Sequence, residues 1–181
     1  MSAVVAGCLT ERHLTLFGTI VHWFARYELL MQEIMATVIG SDSAAVMLLT
    51  RDLTFSEKHQ ALLRLLRHRR VPLDRFDVVR GYLKVPHALS SLCDDIVHSA
   101  WVAGPSPNSI QPDWILQRPR TIKPMHKAAD TRSENFKEDE DDRVEYTLGE
   151  LAEIAASLGE NHKSLFNYAR EVGLIERRMN V

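Results

Sequence analysis

The chain has 181 residues, enough for one ordinary domain with its own core. Its 45% hydrophobic and 25% charged residues are the proportions of a globular protein, which argues against a disordered or fibrous chain. A net charge of −2 excludes a global pull on nucleic acid, so any such binding must come from a local patch.

Residues 11–39 read as one long helix, because Leu16, Ile20, Trp23, Phe24, Tyr27, Met31, Ile34 and Val38 recur at three- and four-residue steps. Thr10 is placed to cap it, with His13 standing where a capping box has its acidic partner, and Gly40 stops it. Phe17, Val21 and Leu30 widen the apolar stripe, which predicts contact with several neighbours or with a second subunit. A short helix over 43–50 follows. The next begins near Ser56, after the cap-like Thr54-Phe55-Ser56-Glu57, and reaches about Arg70 with Leu62, Leu63, Leu65 and Leu66 inward, before Pro72. Its outer side carries Arg64, Arg67, His68, Arg69 and Arg70, which either complement the helix dipole or form a phosphate-contacting patch.

A third helical region runs from Leu73 through Trp101 and is expected to divide at Gly81 and Pro86. Residues 102–146 lack a helical period and form an irregular, proline-rich and charged insertion. Within it, Trp114-Ile115-Leu116 suits a short edge strand, and the basic residues Arg118, Arg120, Lys123, Lys127 and Arg132 precede an acidic run from Glu138 to Asp142. The stretch 126–143 is expected to be poorly ordered. Thr147-Leu148-Gly149-Glu150 is a capping-box pattern opening a last helix that Gly173 ends. The expected fold is all-α: a bundle of four to five helices, one domain over 1–181, with an irregular and short-stranded excursion before the last helix.

The chemistry concentrates in Leu92-Cys93-Asp94-Asp95-Ile96-Val97-His98-Ser99-Ala100-Trp101. Asp94 and His98 are one helical turn apart and share a face. This run, the long first helix with Gly18, Trp23, Phe24, Tyr27 and Glu28, the basic second pair and the closing helix resemble the HEPN superfamily over roughly residues 14–172. The family signature is arginine, a polar residue, three variable positions and histidine; here the polar position is Asp94 and the histidine is His98. The resemblance implies a homodimer in which two such motifs cut RNA without metal. Histidine would move the proton of the ribose 2′-hydroxyl and arginine would hold the phosphate charge.

The arginine position is Cys93, and a thiol cannot supply that cation. The expectation is therefore an RNA-linked role in toxin–antitoxin, defence or RNA-processing systems, with endoribonuclease activity reduced or absent. The catalytic candidates are His98, Asp94 and Glu28, and the nucleic-acid-binding candidates are Arg64, Arg67, Arg69 and Arg70. A second formal match, Arg80 to His87, spans Gly81 and Pro86 and ranks below the His98 site. The expected partners are a second copy of the chain, RNA, and a cognate antitoxin or defence-system protein.

Plainer roles stand beside each of these. His98 and Asp94 form a helix-end pair, Asp94 and Asp95 are surface charge, Cys93 is a small apolar filler, and the tryptophans are packing. On that reading the chain is a non-enzymatic interaction module. A metal site from Asp94, Asp95, His98 and Glu28 lacks further ligands, so no metal and no cofactor is expected. No glycine-rich phosphate loop, Gly-x-Ser-x-Gly elbow or His-Glu-x-x-His pattern occurs. Arg26, Glu28 and Glu33 interrupt the longest apolar candidate, so no membrane span is expected. The start of the chain has no basic region followed by an apolar segment, which predicts a cytoplasmic protein. Cys8 and Cys93 are in no Cys-x-x-Cys pair, so neither a disulfide framework nor a sulfur-based zinc site is expected.

Overall fold

The computed structural model describes residues 9–106, 108–113 and 145–175. The expected strand at Trp114-Ile115-Leu116, the basic and acidic runs and the expected poorly ordered stretch 126–143 all lie outside these residues. The described residues are mostly helical: α1 (Glu11–Ile39), α2 (Ser43–Thr50), α3 (Phe55–His68), α4 (Leu73–Ala88), α5 (Ser90–His98) and α6 (Leu148–Glu171). Three short strands precede the last helix: β1 (Trp101–Ala103), β2 (Ser109–Pro112) and β3 (Tyr146–Thr147). This is the helical bundle with a short-stranded excursion that the sequence predicts. None of these helices alone is long and apolar enough to cross a membrane.

The chain divides into two compact units, with the boundaries falling inside α1, α5 and α6. The first comprises Met1–Gly18 and Asp94–Glu153, the second Thr19–Cys93 and Ile154–Val181. In the first unit, the strands form an antiparallel sheet in the order β1-β2-β3, with Val102 opposite Gln111 and Ile110 opposite Tyr146. Part of the stretch expected to be irregular is thus paired backbone, which satisfies peptide groups that a coil would leave to solvent. The Trp101 ring lies 4.7 Å from Phe17 and 6.2 Å from Tyr146, centroid to centroid.

Polar clasps hold this unit. Glu145 accepts hydrogen bonds from the hydroxyls of Ser106 and Ser109, both at 2.6 Å, and from the Ser106 amide at 3.1 Å. Gly104 is required beside them, because a Cβ there would collide with Ser109 Oγ. At the start of α1, Nδ1 of His13 accepts from the Thr10 amide at 3.1 Å, and the His13 amide donates to Thr10 Oγ1 at 3.4 Å. An imidazole thus plays the carboxylate's part in the box, as the sequence suggests. At the start of α6, Thr147 and Glu150 form the expected box, with the Glu150 carboxylate accepting from the Thr147 amide at 2.8 Å.

The second unit is built around apolar residues. On α1, Ile20, Phe24, Tyr27, Met31 and Ile34 are buried, and Leu30 is buried as well. Phe17, in the first unit, is also buried. The extra width that the sequence offers to a second subunit is therefore largely used within the chain, although Leu29 stays 40% exposed. Leu62, Leu66, Phe76, Val79, Leu83, Leu158 and Leu165 complete the core. Tyr27, fully buried, satisfies its hydroxyl by donating to the Leu158 carbonyl at 3.2 Å. At Gly159 the helix meets Trp23 so closely that a Cβ would sit 2.9 Å from the indole ring.

One expectation needs correction. The helix does not divide at Gly81 and Pro86; α4 runs through both and breaks only at Leu89, and it is α5 that ends, at His98, before Trp101. Proline in a helix removes the amide that would bond the carbonyl four residues earlier, here that of Tyr82. That carbonyl accepts from Asn161 Nδ2 on α6 at 3.0 Å, so the loss is made good from outside the helix. Helix ends otherwise follow the sequence. Gly40 and Gly173 have φ of 75° and 72°, closing α1 and α6. Arg70 takes the same role after α3 at φ 53°, where a glycine would be unstrained.

Candidate functional site

His98 is the last residue of α5 and is exposed; Asp94, one turn earlier, is exposed as well. Trp101 packs against Phe17 and Tyr146. The His98 and Asp94 pair therefore presents an imidazole and a carboxylate on an exposed helix face of the first unit. Cys93 is half-buried, in keeping with a small apolar filler.

Glu28 belongs to the second unit, where its carboxylate pairs with Lys58 at 2.8 Å. The Lys58 side chain is only 7% exposed, and a buried ammonium needs such a partner. Glu28 thus has a structural task, which the sequence does not reveal because Lys58 lies 30 residues away.

All four candidate arginines of the second unit are exposed, and three of them have local tasks. Arg67 stacks 4.9 Å above the Phe76 ring, and Arg69 donates to the Ile39 carbonyl at 3.2 Å, capping the negative end of α1. Arg70 is the left-handed residue already described. Arg64 reaches Gln60 at 3.5 Å along its own helix. In the lesser match, Arg80 pairs with Asp77 at 3.0 Å, while His87 Nε2 lies 3.3 Å from Ser56 Oγ. His87 also lies 4.6 Å, ring to ring, from His59, whose two ring nitrogens are enclosed without a hydrogen-bond partner among the described residues. Burial, reinforced by the neighbouring His87, holds His59 below the ordinary histidine range.

A cleft of about 1020 Å³ lies elsewhere in the second unit, lined by α1, α2 and α6. Its lining residues include Arg26 and Arg170, Glu33 and Glu171, and the apolar Leu29, Met47 and Phe166. His162 lines it too, 4% exposed, among Trp23 at 5.4 Å, Tyr27 at 5.1 Å and Phe166 at 6.5 Å. Its Nε2 lies 3.3 Å from the Arg26 carbonyl. A carbonyl only accepts, so Nε2 carries the proton and the lone pair of the neutral ring resides on Nδ1. Burial pushes the His162 pKa down and outweighs that hydrogen bond, and the charges of Arg26 and His22 add to the lowering.

Comparison with known proteins finds no matching family model, no matching curated protein and no matching solved structure. The HEPN resemblance accordingly rests on the motif residues alone. Among the described residues, no group of three or more His, Cys, Asp or Glu side chains is placed to hold a metal ion.

Sequence reasoning overlooked the cleft. A signal for it exists, since His162, Phe166 and Arg170 stand at four-residue steps and so form one row along α6. Arg26 gives no such sign, because its approach to His162 is made through its backbone carbonyl.

Proposed function

We propose that this chain is a cytoplasmic, RNA-binding helical protein that acts as a homodimer in a toxin–antitoxin, defence or RNA-processing system, with ribonuclease activity reduced or absent. The observation that carries the reading is the exposure of His98 and Asp94 on one face at the end of α5. An RNA 2′-hydroxyl can approach the imidazole there, while Cys93 leaves the motif without the cation that would hold the phosphate. The exposed Arg64, Arg67, Arg69 and Arg70 supply a cationic edge, and stacking on Phe76 or capping α1 leaves part of each guanidinium toward solvent. Leu14 and Val97, exposed in the first unit at 42% and 55%, suit a second copy as partner.

The test is retention and cleavage of a mixed transfer and messenger RNA pool in chelator. Salt-sensitive retention without cutting is the expected result, and Cys93→Arg should introduce cutting that His98→Ala removes. Absence of RNA retention at low salt would overturn the proposal. A second reading, a non-enzymatic module that docks a protein such as an antitoxin, is favoured by one observation: Met47, Leu48 and Leu49 are 44%, 73% and 80% exposed in succession on α2.

A further inference from the structure

The α1–α2–α6 cleft of the second unit plays no part in the proposed RNA chemistry, yet it has the attributes of a binding site. Its volume of about 1020 Å³ is at the upper end of the range that drug-sized ligands occupy, so it has room for more than one small group. Two arginines, Arg26 and Arg170, and two glutamates, Glu33 and Glu171, are among its lining residues. A polyanion would gain from Arg26 and Arg170 but be repelled by Glu33 and Glu171. A ligand carrying both signs meets complementary charge on each side. Between the charges the surface is mixed, with Leu29 and Met47 exposed and Phe166 half-buried on the apolar side and the amides of Gln32 and Asn167 on the polar side. Such a surface gives an apolar side chain a place to lie and gives a peptide backbone polar partners.

His162 adds direction. Its Nε2–H is committed to the Arg26 carbonyl, so Nδ1 is left as an acceptor, and the ring is held on three sides by Trp23, Tyr27 and Phe166. A rigid neutral acceptor in a wall of mixed charge suits a ligand N–H. The geometry points to a short peptide with free termini and an apolar centre as the ligand of this cleft. Its carboxylate is held by Arg26 and Arg170, its ammonium is drawn to Glu171, and a peptide N–H donates to His162. This assignment is independent of the RNA reading, because it uses none of the α5 residues or the arginines of α3.

Isothermal titration of the full chain with tripeptides Ala-X-Ala, where X is Leu, Met, Phe or Trp, tests it directly. At least one peptide with free termini should bind saturably. The same peptide acetylated and amidated should bind about tenfold or more weakly, as should the free peptide to Arg170→Gln or Arg26→Gln, since each change removes a charge-assisted hydrogen bond. Both arginines are exposed, so these variants should melt like the parent, which thermal unfolding verifies. No saturable binding by any of the four peptides overturns the assignment. So does equal binding of the blocked peptide, or binding indifferent to both arginine changes. Saturation by inorganic phosphate or adenosine monophosphate with no peptide binding would also overturn it, marking an anion site.

Discussion

The two units keep their shape by different means. The second is a core of interlocked apolar side chains, with Leu62, Leu66 and Leu158 fully buried. The first gathers few large apolar residues around a small sheet and relies on clasps: Glu145 on two serines, His13 on Thr10, Glu150 on Thr147. Apolar packing is unforgiving of lost volume, whereas a clasp tolerates small changes of volume and depends on which atom carries a proton. Each unit is therefore vulnerable at a different point.

The largest effect belongs to the packed unit. Leu62→Ala should cost about 2–5 kcal/mol, read as a shift of the whole chemical-denaturation curve, because the enclosing side chains relax only partly into the space. A loss below about 1 kcal/mol would mean that the core collapses freely and the contrast between units is overstated. Asn161→Leu comes next. It leaves the half-buried Tyr82 carbonyl without its partner, and the loss of such a bond costs about 0.5–1.5 kcal/mol. Pairing this change with Pro86→Ala tests the explanation, since restoring an amide at position 86 should recover much of the loss.

Acid reaches both units, because the packed one encloses His59 and His162 while the clasped one holds His13. His13, His59 and His162 all have pKa values lowered by burial from the ordinary 6.5. The unfolded chain therefore takes up protons before the folded one does. Stability should be level above neutrality and should decline as pH falls below about 6.5, by up to about 1.4 kcal/mol per pH unit for each histidine. His59→Phe should flatten that slope in thermal melts between about pH 7.5 and 5.5; an unchanged slope would assign the acid sensitivity to His13 and His162. Protonating His13 has a second effect, because Nδ1 then ceases to accept and the box at the start of α1 opens.

The smaller effects are a gain and a local loss. Arg70→Gly should stabilise by about 0.5–1 kcal/mol by relieving the left-handed backbone, and a loss instead would mean that the side chain is needed. Glu145→Gln should leave the global melt nearly unchanged while speeding amide exchange at Ser106 and Ser109. Fast exchange across α3 as well would show that the first unit does not open by itself.

What was legible in the sequence was whatever is written locally. The three capping boxes at Thr10, Thr54 and Thr147, the glycine stops at 40 and 173, and the α1 stripe each occupy a few consecutive turns. Position 86 misled because the rule against proline inside a helix assumes that the freed carbonyl has no other partner, and Asn161 is too distant in sequence to be connected with it. Glu28 was likewise read without Lys58. The His98 and Asp94 pair was legible because both residues share one turn of one helix. The cleft was only half so, since its α6 row repeats every four residues but its α1 and α2 walls join it through tertiary packing.

The bond from Asn161 to the Tyr82 carbonyl spans 79 residues, and that span sets an order of events. As the chain emerges from the ribosome, α4 is complete long before α6 exists, with one carbonyl answered only by water. The last turn of α4 should therefore fray in every nascent chain that stops short of position 161, and become firm only when the closing helix arrives. Completion of α4 is in this sense deferred to the end of synthesis, and a truncated product carries an unfinished helix as the mark of its incompleteness.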